Sequence, residues 1–154
     1  MGDDPREESY APPVPLGLDA ASLCRLLARL DTSNLPEVDA VFPSNGPQVL
    51  PLFRGLNAEL LLVRWEGGQS TPVRTLGPST LAVRPVSGEL EVISFSAAQG
   101  SPRLEGIDTV GPGQIAGIPN GAVHALRARG PALTLHLCAP PVFERKDLDV
   151  ASWF

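Results

Sequence analysis

The spacing of apolar residues changes near position 48, and the two parts of the chain predict different kinds of element. In the first part, four leucines recur at the i, i+3, i+4, i+7 spacing of one helical face: Leu23, Leu26, Leu27 and Leu30. Asp19 precedes them in the position of a helix N-cap. A second short helix is predicted at residues 35–38, LPEV, because proline is favoured in the first turn of a helix.

From about Gln48 onward, short runs rich in Leu, Val and Ile are interrupted roughly every ten residues by glycine or proline. The runs are ELLLVRWE, STLAVRPV, GELEVISFS, PRLEGIDTV, GQIAGIP, GAVHALRARG and ALTLHLCAPP. This spacing is typical of an all-β sandwich or barrel and not of alternating βαβ units. We therefore predict a mostly β fold, with one or two helices in residues 18–42 in front of a barrel from about residue 48 to residue 141.

The ends of the chain are predicted to lie outside this barrel. Residues 1–17 combine charges and prolines without periodicity, which indicates a flexible tail; it contains Tyr10, the only tyrosine. The final segment, VFERKDLDVASWF, is amphipathic and ends in two aromatic residues, so we expect it to pack on the outside of the barrel. With 154 residues in the chain, residues 18–154 are predicted to form a single domain.

Composition and charge narrow the classes of partner and compartment. The net charge of −5 argues against a nucleic-acid partner, because phosphate binding requires a clustered positive surface. No apolar run reaches the ~20 residues that a membrane span needs. The acidic N-terminus has no apolar stretch of the secretory type behind it, and Cys24 and Cys138 are therefore expected to be free thiols in a reducing cytoplasm.

Two glycine-containing stretches have the spacing of metal-binding β-turn-β motifs. The first contains Gly68, Arg74, Leu76, Leu81 and Gly88, and the second contains Gly113, Pro119, Gly121 and His124. Their spacing resembles the two motifs of the cupin superfamily, which implies a cupin-type β-barrel, also called a double-stranded β-helix, jelly roll or RmlC-like fold. In cupins the Arg74 and Leu76 positions are histidines and the Leu81 position is usually an acid, so most of the ligands are replaced here.

A narrower resemblance covers residues 53–141, which are similar to the cysteine dioxygenase, or thiol dioxygenase, branch of the cupins. The similarity is carried by WEGGQSTPVRT at residues 65–75, by the turn at Gly88, and by VHALRARGPALTLHLCAPP at residues 123–141. It implies a mononuclear iron held by three histidines, with open positions for a thiolate and for oxygen.

The positions that this branch uses for chemistry hold other residues here. The three iron ligands correspond to Arg74, Leu76 and His124, and the catalytic tyrosine corresponds to Cys138. Arg54 stands where the resemblance implies an arginine for the substrate carboxylate. The branch also implies a hydrogen-bonding role beside the metal for the histidine at position 136, which is present as His136.

The chemistry of these residues argues against ordinary iron dioxygenation. A guanidinium stays protonated in proteins and has no lone pair to offer a metal, and a leucine side chain has no donor atom. The chain has only two histidines, His124 and His136, so a three-histidine site cannot form within one subunit. We therefore expect a pseudoenzyme without a resident cofactor.

Two hypotheses for the barrel interior remain. In the first, Arg74 and Arg54 clamp a carboxylate, sulfonate or phosphate, and His124 and His136 add further donors; otherwise Arg74 pairs with an acid such as Glu59 or Glu91, or reaches solvent. The second hypothesis is a weakly held iron or zinc. Because alternate strand residues share a face, His136 and Cys138 point the same way, towards His124, and these three side chains are its ligands.

The expected function is that of a degenerate, cysteine-dioxygenase-like cupin that binds a small anion or regulates a partner without catalysis. The alternative is an active thiol dioxygenase, or another metal-dependent cupin, with His124, His136 and Cys138 as an unusual ligand set. A structural barrel that forms a homodimer is a third possibility. A covalent mechanism on Cys138 is rejected, because nothing nearby in the sequence lowers the pKa of its thiol.

Overall fold

The computed structural model describes residues 19–38, 46–96 and 101–141 of the chain. Helix α1 (Ala20–Ala28) comes first. Eight strands follow in the described residues: β1 (Gln48–Arg54), β2 (Glu59–Trp65), β3 (Thr80–Ser87), β4 (Leu90–Ser96), β5 (Arg103–Val110), β6 (Ala116–Ile118), β7 (Val123–Ala128) and β8 (Ala132–Ala139). Each predicted apolar run contains one strand, and the mostly β fold class is confirmed.

The strands form two antiparallel sheets. The large sheet has the order β1-β2-β8-β3-β6, and the small sheet has the order β5-β4-β7. Residues 68–74 lie along the free side of β7, where Thr71 N–H donates to the Leu126 carbonyl at 2.8 Å and Arg74 N–H donates to the His124 carbonyl at 3.0 Å. The first predicted motif is thereby attached to the strand that carries the second.

The main core lies between the inner faces of the two sheets. The large sheet contributes side chains such as Leu61, Val83 and Cys138, and the small sheet contributes Val92 and Leu126. All five are at least nine-tenths buried. Because the sheets pack face to face, apolar residues alternate along each strand with residues that point to the outer face.

A second apolar cluster attaches α1 to the outer face of the large sheet. Leu23 and Leu27 are fully buried, and they pack in a cluster that includes Leu135 and Leu137 of β8. The predicted N-cap is confirmed, because the Asp19 carboxylate accepts from Ser22 N–H at 2.8 Å.

The other end of α1 is held by the sheet itself. Arg84 of β3 donates from its Nη1 to the carbonyls of Leu27 and Leu30, both at 2.9 Å. Leu27 lies in the last turn of the helix and Leu30 lies two residues beyond its end, a region where carbonyl groups lack partners within the helix itself. The side chain of one strand therefore stabilises the helix end.

Some predicted features differ or lie elsewhere. Residues 35–38 are not helical, so the second helix predicted to begin there is wrong for that stretch; the cluster around α1 includes Val38, which packs without a helix. The tail at residues 1–17 and the final segment at residues 142–154 fall outside the described residues. None of the described helices is long and apolar enough to cross a membrane.

The backbone conformation of the motif glycines explains the spacing of the two motifs. Gly68, Gly88, Gly113 and Gly121 have φ angles of 88°, 74°, 86° and 78°, a region that side chains with a Cβ rarely adopt. At Gly88 there is a second constraint, since a Cβ would collide with the Pro131 carbonyl oxygen and would lie 2.8 Å from the Ala132 Cα. The spacing is therefore a requirement of the turns, whatever the ligand positions hold.

Replacing Gly88 by alanine is expected to lower the free energy of unfolding by about 3 kcal/mol or more, because backbone strain adds to a collision with the backbone of the β7–β8 turn. The matched control is Gly113→Ala, at a similar φ with nothing within 4 Å of its added Cβ; it should cost about 1–2 kcal/mol. Urea unfolding followed by circular dichroism measures both. Equal losses would show that the close approach at Gly88 does not matter.

Candidate functional site

His136 lies at the centre of the barrel interior. On β8 it stands opposite Leu61 of β2 and Val83 of β3, and its side chain is fully buried. The Thr134 hydroxyl lies 2.8 Å from its Nε2 and also accepts from the indole N–H of Trp65 at 2.9 Å. The Trp65 and His136 rings stack with centroids 6.3 Å apart, so the imidazole is fixed on two sides. The inward direction predicted for this strand face is confirmed.

This environment keeps His136 neutral. Burial and, to a smaller extent, the nearby His124 ring lower the pKa of its imidazole to about 3. An uncharged ring bonded to a hydroxyl suits a fixed structural position. It does not supply the charged donor that an anion would need.

His124 lies at the start of β7, opposite Ser94 of β4, and is 5% exposed. Its Nδ1 is 3.1 Å from the Ala122 carbonyl oxygen and therefore carries the hydrogen, because a carbonyl can only accept. Burial lowers the pKa of His124; the Ala122 carbonyl opposes this change, and the charge of Arg74 adds to it. The neutral ring presents an acceptor at Nε2, whereas the sequence alone predicted a donor role for His124.

Arg74 lies directly beside His124. The two residues form an isolated antiparallel bridge, with both backbone hydrogen bonds at 3.0 Å. Directly opposed residues point to the same side of a sheet, so the Arg74 side chain is on the inner side with His124. Burial lowers the pKa of the guanidinium to about 10, which still leaves it charged at neutral pH. The charged Arg74 side chain therefore faces the barrel interior.

The acids proposed as partners for Arg74 have ion pairs of their own. Glu59 is fully buried and its Oε1 lies 3.2 Å from Arg54 Nε. Glu91 Oε1 accepts from Arg127 Nε at 2.8 Å on the outer face of the small sheet. Arg54 is therefore engaged with a carboxylate at the edge of the large sheet.

Cys138 shares its row of the large sheet with this ion pair. It stands opposite Glu59 of β2 and Leu81 of β3, and its thiol is fully buried. Burial, and then the charge of Glu59, raise the pKa of the thiol far above its ordinary value. A thiol that stays protonated is a weak nucleophile at neutral pH.

The positions assigned to metal ligands by the first motif do not fit a metal. Leu76 packs against the main core and Leu81 is 1% exposed within it. Across residues 19–38, 46–96 and 101–141, no three His, Cys, Asp or Glu side chains form a group that could hold a metal ion. The proposed set of His124, His136 and Cys138 is therefore not assembled as a ligand group for iron or zinc.

A cavity of about 690 Å³ opens beside His124. It lies between the edge strands of the two sheets, β5 and β6, and its walls include Ser94, Glu105 and Asp108. These three residues were not among the predicted site residues. Alternation in β4 and β5 places Ser94 and Asp108 on inner faces, but only the strand pairing shows that both line an opening.

Growth with iron and zinc available is expected to give a purified protein with less than about 0.1 equivalent of any transition metal, because guanidinium and leucine side chains cannot coordinate one. Inductively coupled plasma mass spectrometry measures the content. A metal content near one equivalent in the wild type would contradict this assignment if the metal were lost in a His124→Asn variant and kept in an exposed control such as Arg103→Gln.

Acid is expected to destabilise the fold through His136. The unfolded imidazole takes up a proton near pH 6.5 and the folded one only near pH 3, so stability is complete above pH 6.5 and is lost as pH falls towards 3. The substitution His136→Gln removes the titrating imidazole and keeps a polar side chain beside Thr134.

The difference in unfolding free energy between wild type and His136→Gln should therefore change by roughly 1.4 kcal/mol per pH unit between pH 6 and pH 4. Urea unfolding at each pH measures it, and the carboxylates titrate alike in both proteins. Parallel stability curves over that interval would refute a neutral buried His136.

Known structures resemble this chain in fold. The TT1209 protein from Thermus thermophilus is 24% identical, covers 67% of this chain and 90% of its own, and has a TM-score of 0.54. KdgF from Halomonas sp. is 20% identical, with coverages of 71% and 89% and a TM-score of 0.55. An RmlC-like cupin from Shewanella frigidimarina is 14% identical, with coverages of 72% and 88% and a TM-score of 0.56.

No protein-family model matches the chain, and no curated protein matches it. The likeness to solved structures therefore concerns the fold, and nothing in it points to the cysteine dioxygenase branch. Two antiparallel sheets, motif glycines at the turns and these structural relatives together show that this chain has the cupin, RmlC-like double-stranded β-helix fold.

Proposed function

We propose that this protein is a non-catalytic cupin, a degenerate relative of the thiol dioxygenases, that binds a small anion through Arg74. The observation that carries the proposal is the position of this guanidinium. It is half-buried on the inner side of the small sheet, beside His124, at a position where the cupin motif has a metal ligand. A fixed positive charge replaces the charge of a metal at that point.

The electrostatics of this position support anion binding. Burial has already removed part of the hydration of Arg74, as the lowered pKa shows, so less water must be displaced when an anion arrives. Attraction between unit charges also strengthens where the effective dielectric constant is low. The planar fork of a guanidinium suits two parallel hydrogen bonds to a carboxylate, sulfonate or phosphate.

His124 gives the proposed site a pH dependence. Its pKa is lowered by burial and by the charge of Arg74. An anion at Arg74 would offset that charge and favour protonation of His124, which then offers an N–H at both ring nitrogens. Anion binding should therefore tighten as pH falls into the range, below the ordinary one for histidine, in which His124 takes up a proton.

The clamp of two arginines is not needed for this proposal, because Arg54 is paired with Glu59. The alternative of an active thiol dioxygenase needs a donor set that the described residues do not assemble. We therefore assign anion recognition to Arg74, with His124 as its pH-sensitive neighbour.

Isothermal titration calorimetry with acetate, methanesulfonate and phosphate tests the proposal. Arg74→Gln should weaken binding of the anion that binds best by about tenfold or more, the loss expected for a charge-assisted hydrogen bond. The matched control is Arg103→Gln, which removes the same charge from an exposed position on β5. No binding of any anion, or equal losses in the two variants, would refute the proposal.

A further inference from the structure

The cavity between β5 and β6 has a different chemistry from the Arg74 position. Its polar walls carry the carboxylates of Glu105 and Asp108 and the imidazole of His124. Among the described residues that line it, none is an arginine or a lysine. The cavity is therefore negatively charged as long as His124 is neutral.

His124 contributes an acceptor at the inner wall. Its side chain is about 95% buried and lines the cavity, and its Nδ1–H is used by the Ala122 carbonyl. Nε2 of the neutral ring then holds a lone pair and no hydrogen. An acceptor in this place favours a ligand that brings an N–H or O–H group.

The strand register places further polar groups along the same opening. Ser94 lies opposite both His124 and Gly106. Asp108 follows two residues along β5, opposite Val92, and so shares the inner face. Glu105 is the extra residue of a bulge, because Ser94 pairs with Gly106 and the next pair joins Phe95 to Leu104. Both carboxylates are exposed, at the outer part of the opening.

Much of the remaining wall is aliphatic, although Thr109 and Gln114 also line it. It includes Val92, Val110, Ala116 and Ile118, which face the cavity from three strands. A volume of about 690 Å³ lies in the range of small-molecule sites. The combination of carboxylates, a neutral acceptor and an aliphatic wall matches a ligand with a positive charge on a short hydrocarbon.

We propose that this cavity binds small aliphatic amines, with the ammonium group at Asp108 and Glu105 and the hydrocarbon against the aliphatic wall. Strands β5 and β7 are separated by one strand, and Asp108 and His124 are also offset by two residues along them, so roughly 12 Å lies between these two positions. The charge of Arg74 beside His124 disfavours a second ammonium group at that wall, so a monoamine should bind at least as tightly as a diamine. The inference goes beyond the proposed function and does not depend on anion binding at Arg74.

Calorimetric titration of the wild-type chain with four probes of equal carbon number tests this proposal: 1,4-diaminobutane, butylamine, butane-1,4-diol and butyrate. We expect butylamine to bind at least as tightly as the diamine, and the diol and butyrate to give no heat at this site. Binding of the amines should weaken with added salt, because the carboxylates are exposed.

Variants of the exposed carboxylates are expected to fold, since neither side chain is part of the core. Asp108→Asn should weaken butylamine binding about three- to fivefold, and the double change with Glu105→Gln about tenfold. The matched control is Glu89→Gln, which removes one exposed carboxylate that does not line the cavity. It should bind butylamine as wild type does.

Three results would overturn the proposal: no binding of either amine, a diol that binds as tightly as butylamine, or a Glu89→Gln loss equal to that of Asp108→Asn. The second would indicate hydroxyl recognition, and the third would indicate general attraction to an acidic surface. Amine binding without anion binding would leave this inference standing and refute the Arg74 proposal. Anion binding alone would do the reverse.

Discussion

The structure depends on a single strand that is buried on both faces. β8 lies in the middle of the large sheet, between β2 and β3, and nearly all its residues are shielded from water. Its inner face carries His136 and Cys138 into the barrel, and its outer face packs Leu135 and Leu137 under α1. Every polar group on the inner face must find a protein partner, since burial without one costs free energy. The bonds among Trp65, Thr134 and His136 Nε2 supply such partners.

Much of this architecture could be predicted from the sequence. The seven apolar runs indicated strands β2 to β8, because alternation and glycine or proline breaks follow from strand geometry, whereas β1 lies in none of those runs. The motif glycines also located the turns correctly, because a positive φ angle is a local property of a turn. The prediction of a second helix was wrong at residues 35–38, because a proline that suits the start of a helix is equally suited to an extended segment. Local preference alone does not distinguish the two.

The site was less predictable, because its properties arise from pairing across distant segments. Arg74 was found from motif spacing, but its inward direction required the bridge to His124. Arg54 has the expected position in the chain and an ion pair with Glu59 that spacing does not reveal. The tautomer of His124 depends on a carbonyl two residues away in the chain, and the acidic opening depends on which strands become edges. These features decide whether a site offers donors or acceptors.

The proposed anion site and amine site divide the interior by charge. Arg74 is held against the small sheet, where burial has already removed part of its hydration, while Asp108 and Glu105 stay in water at the opening. The barrel keeps its cavity whatever residues stand at the motif positions, because the sheets and glycine turns form without a metal. The chemistry of such a barrel is then set by a few side chains.

The two hydrogen bonds from Arg84 to the carbonyls of Leu27 and Leu30 have a consequence for the order of folding. Helix α1 has nine residues, too few to be stable alone in water. Its apolar face is buried on the large sheet, and carbonyls at its end are satisfied by a side chain of β3. The helix therefore becomes ordered late: although it precedes the strands in the chain, it must wait until those that follow it have paired.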